Sequence, residues 1–381
     1  MFLKTFFDSV EIRREEKMLI ARFVKPFRSL STCRVGGGFS SKLEYVCNHQ
    51  CCEPRDHFTE TNAMMIEEPH LYHKIICENY GLPCAGTAIL ETAANMNNAA
   101  IEHVKFRKLE VSCICTGGVE SNPMRAADPA SIHEYSGKYM AIEEAHKPHA
   151  GTINVIILIN SSLTDSALVE CVVTATEAKA AALQELEIHS RYSDSIATGT
   201  GTDQIFVAAR IGSGVPLTGA GKHTKLGEMV ALSSLKAIKN TLIWQNSLTP
   251  NVQCSCMNQL GHTNLDESQF VDSVCSLLDE SLSDVFRKNF ISINLDPPTV
   301  ASLSSLKLVR QKSLWGVLPQ GCIKDTFCAQ AAQIACCVSG KYTKFDFFRR
   351  ELSVKDFDLS ESSFMKLVYR TFALGFSEKW K

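Results

Sequence analysis

The chain has 381 residues, of which 45% are hydrophobic and 21% charged, enough apolar side chains for one large or two ordinary domains. Its formal net charge of −2 provides no positive field that would attract nucleic acid. No apolar run reaches the roughly 18 residues that cross a membrane, and the charged N-terminus lacks a signal-peptide core. We therefore expect a cytoplasmic protein without membrane insertion.

The chain contains sixteen cysteines. Without a secretory signal we expect them to be reduced thiols that pack as small apolar side chains. The adjacent pairs Cys51–Cys52 and Cys336–Cys337 do not have the spacing of metal ligands, and no paired C-x-x-C motif occurs. The sequence thus predicts no metal site.

The first part of the chain is predicted to consist mainly of strands. Residues 70–80 and 87–100 have helical patterns, whereas 126–150 is polar and predicts a loop with at most a short helix. Apolar and β-branched runs bounded by turn residues predict strands at 18–32 with a break at Pro26, and at 43–48, 108–118 and 152–160.

A long helix follows the strand at 152–160. Thr164 or Asp165 caps it, and the pattern continues to about residue 188. Lys179 falls near the middle of its apolar face. A lysine at such a position must extend to solvent, find a carboxylate, or face a ligand cavity.

The segment 198–203 reads TGTGTD and precedes an apolar strand that ends near residue 210. Glycines allow successive backbone N–H groups to converge on an anion, threonine hydroxyls add donors, and Asp203 adds an acceptor or a base. The segment matches neither a P-loop nor a dinucleotide fingerprint. A β-hairpin whose glycines only permit the turn is the open alternative.

Helical patterns dominate the remainder, with a helix at 223–243 and mostly helical residues from 265 to 381. We predict an α/β fold in which a mixed sheet is covered by long helices, followed by a mostly helical C-terminal domain. The predicted domains are 18–245 and 265–381, joined by a linker at 246–264.

Several segments occur in an order that resembles the adenosylcobinamide amidohydrolase family of corrinoid salvage. The resemblance spans about residues 18–243 and departs at Ala127, where a glycine is expected. It implies hydrolysis of the amide that joins aminopropanol to the corrin ring, giving adenosylcobyric acid for cobalamin synthesis, with the corrinoid as substrate and no cofactor. The segments are STCRVGGGFS (31–40), VCNHQ (46–50), CTGGVESNPMRAAD (115–128), the strand–helix block 151–186 with TATEAK, ATGTGTDQIFVAA (197–209) and TGAGKHTKLGEMV (218–230).

The residues permit amide hydrolysis by a base-activated water, because the chain has no G-x-S-x-G or H-E-x-x-H motif. Asp203 is the first candidate base, with an Asx-turn or cap as its alternative role. Lys179 pairs with Asp203 or Glu177, or protonates the leaving amine. Backbone N–H groups near Gly199 and Gly201, with Thr200 and Thr202, are candidates to hold the oxyanion or corrin amides.

Three further residues are candidates on the same basis. His49, at the end of a predicted strand, is the best histidine for a base or metal ligand, and a plain hydrogen-bonded histidine is its alternative. Asn122 and Arg125 follow a Gly-Gly turn and either read the amide-rich rim of a corrinoid or brace the loop.

Two other functions stay open. A corrinoid-binding carrier or sensor would bind the same ligand without releasing aminopropanol. A phosphate- or nucleotide-binding protein would use the glycine–threonine turn and would be stabilised thermally by nucleotides and not by corrinoids.

Overall fold

A computed structural model describes residues 1–53, 60–143, 151–261, 266–353 and 358–380. The chain forms two compact units, Met1–Leu248 and Thr249–Lys381. All strands of the described residues lie in the first unit, and the described part of the second is helical.

In chain order the strands are β1 (Phe2–Phe6), β2 (Val10–Glu15), β3 (Met18–Phe23), β4 (Phe27–Ser31), β5 (Gly38–Ser40), β6 (Tyr45–Gln50), β7 (Thr87–Thr92), β8 (Ala100–Phe106), β9 (Leu109–Gly117), β10 (Pro123–Met124), β11 (Ile132–Tyr135), β12 (Lys138–Ala141), β13 (Ile153–Ile159), β14 (Gly199–Thr200) and β15 (Gln204–Arg210). The helices of the first unit are α1 (Glu60–Glu67), α2 (Pro69–Asn79), α3 (Asp165–Glu185) and α4 (Lys225–Asn246). Those of the second are α5 (Pro250–Gln253), α6 (Cys256–Gln259), α7 (Glu267–Cys275), α8 (Glu280–Asn294), α9 (Pro297–Leu314), α10 (Ile323–Ser339), α11 (Phe345–Glu351) and α12 (Glu361–Lys379).

Two main sheets form the first unit. One has six strands in the order β5-β4-β15-β13-β9-β8, and the other has five in the order β1-β2-β3-β6-β7. Each sheet is mixed, because β13 and β15 are parallel in the first, β6 and β7 are parallel in the second, and the other neighbours are antiparallel. The predicted α/β class and mixed sheet are therefore confirmed.

The sheets and helices stack in four layers. Alternate residues of β13 separate two apolar cores: Ile157 packs with α3 and α4, and Ile156 packs between the two sheets. On the far side of the five-stranded sheet, Ile89 packs with Tyr72 and Ile76 of α2. The order is helices, six-stranded sheet, five-stranded sheet, helix.

Most of the strongly patterned elements are confirmed. The helix predicted from Thr164 begins at Asp165, and the Thr164 hydroxyl accepts a hydrogen bond from the Ala167 N–H at 3.3 Å. The break predicted at Pro26 separates β3 from β4. These two strands belong to different sheets, so the single predicted sheet is in fact two.

Two local predictions were wrong. Residues 87–100 were predicted as a helix, but β7 forms there because it pairs in parallel with β6, a partner that the local pattern does not reveal. Residues 126–150 were predicted as a loop with at most a short helix. The described part of that segment instead contains the exposed hairpin β11–β12, and 144–150 lies outside the described residues.

The second unit has its own core. Buried phenylalanines from several helices meet there, and two of them, Phe286 and Phe376, approach edge to face at 5.0 Å. The helical prediction for 265–381 is confirmed over the described residues of that range. Within the predicted linker 246–264, the described residues include α5 and α6. Across the described ranges, no helix has the length and hydropathy of a membrane span.

Candidate active site

Hydrogen bonds saturate the Asp203 carboxylate at the start of β15. Its Oδ1 accepts from the Thr200 hydroxyl at 2.5 Å and from the Ile153 N–H at 2.9 Å. Its Oδ2 accepts from the Thr200 N–H at 3.0 Å and from the Lys179 ammonium. A carboxylate has about four acceptor positions. The glycine–threonine loop therefore binds its own aspartate through Thr200, and its role in holding a substrate oxyanion or corrin amides stays a prediction.

Lys179 and Asp203 form a shielded ion pair. Their side chains are only 16% and 12% exposed, respectively. Lys179 reaches Asp203 from α3, so of the three possibilities for this lysine the structure shows a carboxylate partner. Glu177, the other predicted partner, lies on the exposed side of α3 and pairs with Lys222.

The two glycines of the motif make room for these side chains. A Cβ on Gly199 would lie 2.3 Å from Asp203 Oδ2 and 3.1 Å from Lys179 Nζ. A Cβ on Gly201 would lie 3.0 Å from Asn122 Nδ2. Neither glycine has a positive φ. Close approach, and not left-handed backbone, is the reason for glycine at both positions.

Asn122 is buried beside the motif. Its Nδ2 donates to the Gly151 carbonyl at 3.3 Å, and its Oδ1 accepts from the Tyr192 hydroxyl at 2.8 Å. The adjacent strand β10 pairs with β14, where Pro123 lies opposite Thr200. The structure thus brings Asn122 to the loop that holds Asp203.

Threonine hydroxyls close the same rim. Thr202 Oγ1 lies 2.6 Å from Thr152 Oγ1 and donates to the Gly151 carbonyl at 3.0 Å. Thr152 immediately precedes Ile153, whose N–H binds Asp203. The loop is therefore fixed to the start of β13 through both Thr202 and Asp203.

Arg125 braces the segment that leads into the motif. Its guanidinium donates to the Ile196 carbonyl at 3.1 Å, and its backbone N–H donates to Asp128 at 2.7 Å. Asp128 also accepts from the Ser190 hydroxyl at 2.5 Å. This is the bracing alternative of the sequence analysis, and a role for Arg125 in corrinoid recognition stays a prediction.

A partly buried polar network joins the two sheets next to this rim. Gln204 follows Asp203, and its Oε1 accepts from the Glu91 N–H at 2.9 Å while its Nε2 donates to Glu91 Oε2 at 2.9 Å. Asn154 follows Ile153, and its Nδ2 donates to the Glu91 carbonyl and to Asn48 Oδ1, both at 3.0 Å. Burial raises the pKa of Glu91, and the Gln204 hydrogen bond opposes that shift.

His49 lies on the opposite face of the five-stranded sheet. It is buried, and its Nδ1 is 2.5 Å from the Tyr72 hydroxyl of α2. Burial lowers the pKa of His49 to about 4, with a smaller contribution from Lys17. Burial likewise raises the pKa of Tyr72. The imidazole is therefore neutral at physiological pH.

A cleft of about 1100 Å³ opens beside His49, with Lys17, Gln50 and Tyr80 among its lining residues. Its volume exceeds the range of about 300–1000 Å³ usual for small-molecule sites. Neither Asp203 nor Lys179 lines this cleft. Asn48, the neighbour of His49, contacts Asn154, the neighbour of Ile153. The cleft and the Asp203–Lys179 pair therefore lie at the same end of the two packed sheets, on opposite outer faces.

Comparison with known proteins decides the family. Residues 3–250 match the family model of adenosylcobinamide amidohydrolase, CbiZ. An uncharacterized protein of Methanocaldococcus jannaschii is 35% identical over 239 residues, which are 61% of this chain and 89% of that protein. This chain belongs to the adenosylcobinamide amidohydrolase family. The resemblance inferred from the sequence motifs is confirmed, and membership implies an amidohydrolase with a corrinoid substrate.

The matched region of the amidohydrolase family coincides closely with the first unit, Met1–Leu248. All the predicted site residues lie in this region, and the structure gathers Asp203, Lys179, Asn122 and the Gly199–Thr202 loop at one rim. It places His49 apart from them.

The candidate site also includes residues that the sequence analysis missed. Tyr192 had no distinguishing pattern, and Glu91 was placed in a predicted helix. Asn154 did carry a signal, because it is a polar side chain inside an otherwise apolar predicted strand, and the structure buries it completely.

Metal ligands are the remaining chemical question for this family member. Among the described residues, no group of three or more His, Cys, Asp or Glu side chains could hold a metal ion. A reaction without a metal stays a prediction. All sixteen cysteines are free thiols, and twelve of them are buried.

Proposed function

We propose that the chain hydrolyses adenosylcobinamide at the amide between aminopropanol and the corrin propionate side chain. The products are aminopropanol and adenosylcobyric acid, which returns to cobalamin synthesis in the cytoplasm. The shielded Asp203–Lys179 pair carries the proposal, because it places a carboxylate and an ammonium in contact at a rim rich in amide and hydroxyl donors. Membership of the amidohydrolase family supports the reaction class.

In this mechanism Asp203 removes a proton from the attacking water. The water oxygen bonds to the amide carbon, and the carbon–nitrogen bond then breaks. Asp203 must first release one of its four donors. The Thr200 hydroxyl is the natural one to leave, since a hydroxyl rotates freely whereas the two backbone N–H groups are fixed.

Lys179 then donates a proton to the departing amine. The protonated carboxyl and the neutral lysine amine that result are in direct contact, so a proton transfer between them restores the original pair. The carboxylic acid and the amine carry the remaining protons away, so the reaction needs no other proton carrier.

The oxyanion requires donors that Asp203 does not already occupy. The Thr200 N–H binds Asp203, which leaves the Gly201 N–H and the second hydrogen of the Asn122 amide as candidates. A donor of this kind typically stabilises the transition state by about 3 kcal/mol. The corrinoid is the substrate, and the proposal involves no separate cofactor.

The decisive experiment incubates the purified chain with adenosylcobinamide and separates the products by chromatography. We expect release of aminopropanol by the wild type and a loss of roughly 100-fold or more in Asp203→Asn, since general-base catalysis is worth about 10²–10⁴. His49→Gln tests the second candidate base, and Lys222→Met serves as a surface control. Full turnover by Asp203→Asn with loss in His49→Gln would transfer the base role to His49.

One observation favours a second candidate function. A carboxylate with all its acceptor positions filled resembles a structural group, as expected of a corrinoid carrier or sensor without hydrolysis. Corrinoid binding without release of aminopropanol would establish that alternative. Nucleotide binding is less favoured, because the loop already holds its own anion, and thermal stabilisation by nucleotides alone would support it.

A further inference from the structure

We infer that Gln204 and Glu91 are positioning residues for the Asp203 site, an inference that rests on the proposed function. Gln204 is the residue after Asp203, and both polar atoms of its side chain bind Glu91 of the opposite sheet at 2.9 Å. The start of β15 is thereby attached to the end of β7. The side chain of Asp203 leaves the same strand end on the other face, toward α3.

A second attachment joins the neighbouring strand to the same residue. Asn154 follows Ile153, the residue whose N–H binds Asp203 Oδ1, and the Asn154 amide donates to the Glu91 carbonyl at 3.0 Å. Asn154 and Gln204 lie directly opposite each other in the parallel pair β13–β15. Gln204 directly follows Asp203, and Asn154 directly follows the donor Ile153. Both of these following residues bind Glu91.

The energetics favour a role in alignment over simple adhesion. The apolar residues between the sheets pack without directional preference, whereas each amide bond fixes one distance and one angle. Asn154 is fully buried, and its Nδ2 makes two hydrogen bonds, so a shifted register would leave these N–H groups unpaired at a cost of about 1–3 kcal/mol. The network thus holds Ile153 at the height where its N–H meets Asp203.

The test compares Gln204→Met with Asn240→Leu. Both variants remove an amide–carboxylate hydrogen bond in the first unit, and the bond from Asn240 to Glu102, at 2.8 Å, lies away from the rim. We expect kcat for aminopropanol release to fall between about 10- and 100-fold in Gln204→Met with KM within about twofold, since small misplacements have effects of that size. Asn240→Leu should keep both constants.

An exchange of partners gives a rescue test. Gln204→Glu alone places two carboxylates together and should lower kcat, while the double variant Glu91→Gln with Gln204→Glu restores an amide–carboxylate pair and should recover most of the turnover. Equal kcat losses in Gln204→Met and Asn240→Leu, or failure of the double variant to recover although it is folded, would overturn the inference.

Amide hydrogen exchange separates this inference from the proposed function. The Ile153 and Thr200 N–H groups bind Asp203, and their exchange should accelerate in Gln204→Met and not in Asn240→Leu. A wild type without turnover would refute the hydrolase, and accelerated exchange would still support positioning. Unchanged exchange at both amides would refute positioning even in an active enzyme.

Discussion

Four donors converge on the Asp203 carboxylate, and three of them come from residues in its own loop or the adjoining strand. Only Lys179 belongs to a distant element. The sequence could predict this lysine because its charge falls on an apolar helix face. The sequence could not predict Gln204 and Glu91, since their contact depends on how two sheets meet and neither residue breaks a local pattern.

The close approach at Gly199 leads to a test at the scale of one atom. We expect Gly199→Ala to displace the Asp203–Lys179 pair, because the new Cβ would lie 2.3 Å from a carboxylate oxygen, and to reduce aminopropanol release at least 10-fold. Gly221→Ala is the matched control, since its Cβ meets nothing within 4 Å. Equal turnover in the two variants would show that the pair tolerates the displacement.

His49 gives the stability of the chain a defined dependence on pH. Its pKa is about 4 when folded and 6.5 as a free side chain, so between these values the unfolded chain binds the extra proton and stability falls as pH decreases. Below pH 4 the full loss in the free energy of unfolding from this group is about 3 kcal/mol. Urea unfolding between pH 7 and 4 should show a smaller loss for His49→Gln than for the wild type. Identical curves for the two proteins would contradict the buried, neutral imidazole.

At the scale of elements, local patterns sufficed where an element is long or its signals are strong. The capped helix α3 and the apolar strand β13 were predicted to within a few residues. Strand β7 was not, because its sequence becomes a strand only through pairing with β6. The short pair β10–β14 was missed for the same reason: its partners are far apart in the chain.

The contact of α10 with α12 offers a test of helix packing. A Cβ on Gly375 would lie 2.9 Å from the Ala335 carbonyl oxygen and 3.0 Å from Val338 Cβ. Alanine is favoured over glycine within a helix by about 1 kcal/mol, but overpacking costs about 1–3 kcal/mol. We expect Gly375→Ala to lower the thermal midpoint, because backbone atoms form the obstacle. Gly321→Ala, which meets nothing within 4 Å, should not lower it.

At the scale of the whole molecule, the sequence predicted an α/β part followed by a helical part but not the pairing of two sheets. Alternating and fully apolar strands are compatible with either one sheet or two. The residues that decide between them, such as Ile156 and Leu158, face another strand layer in place of a helix. That assignment requires the tertiary structure.

The first unit should fold without the second. Its apolar cores use only residues before 249, and the match to the Methanocaldococcus jannaschii relative covers 89% of that protein without an extension of this size. We expect residues 1–250 to be folded by circular dichroism and to release aminopropanol with unchanged KM. A folded truncated chain with a strongly raised KM would assign part of substrate binding to Thr249–Lys381.

Strand β4 lies between β5 and β15, and the ribosome synthesises these two partners at very different times. Ser31 of β4 pairs with Phe206 of β15, so β4 cannot form this pairing until about 175 further residues have been synthesised. At translation speeds of about 5–20 residues per second, this delay is roughly 10–35 s. During that interval we expect the edge of β4 that later pairs with β15 to stay open in the nascent chain, and such an unpaired strand edge is prone to pair with other chains.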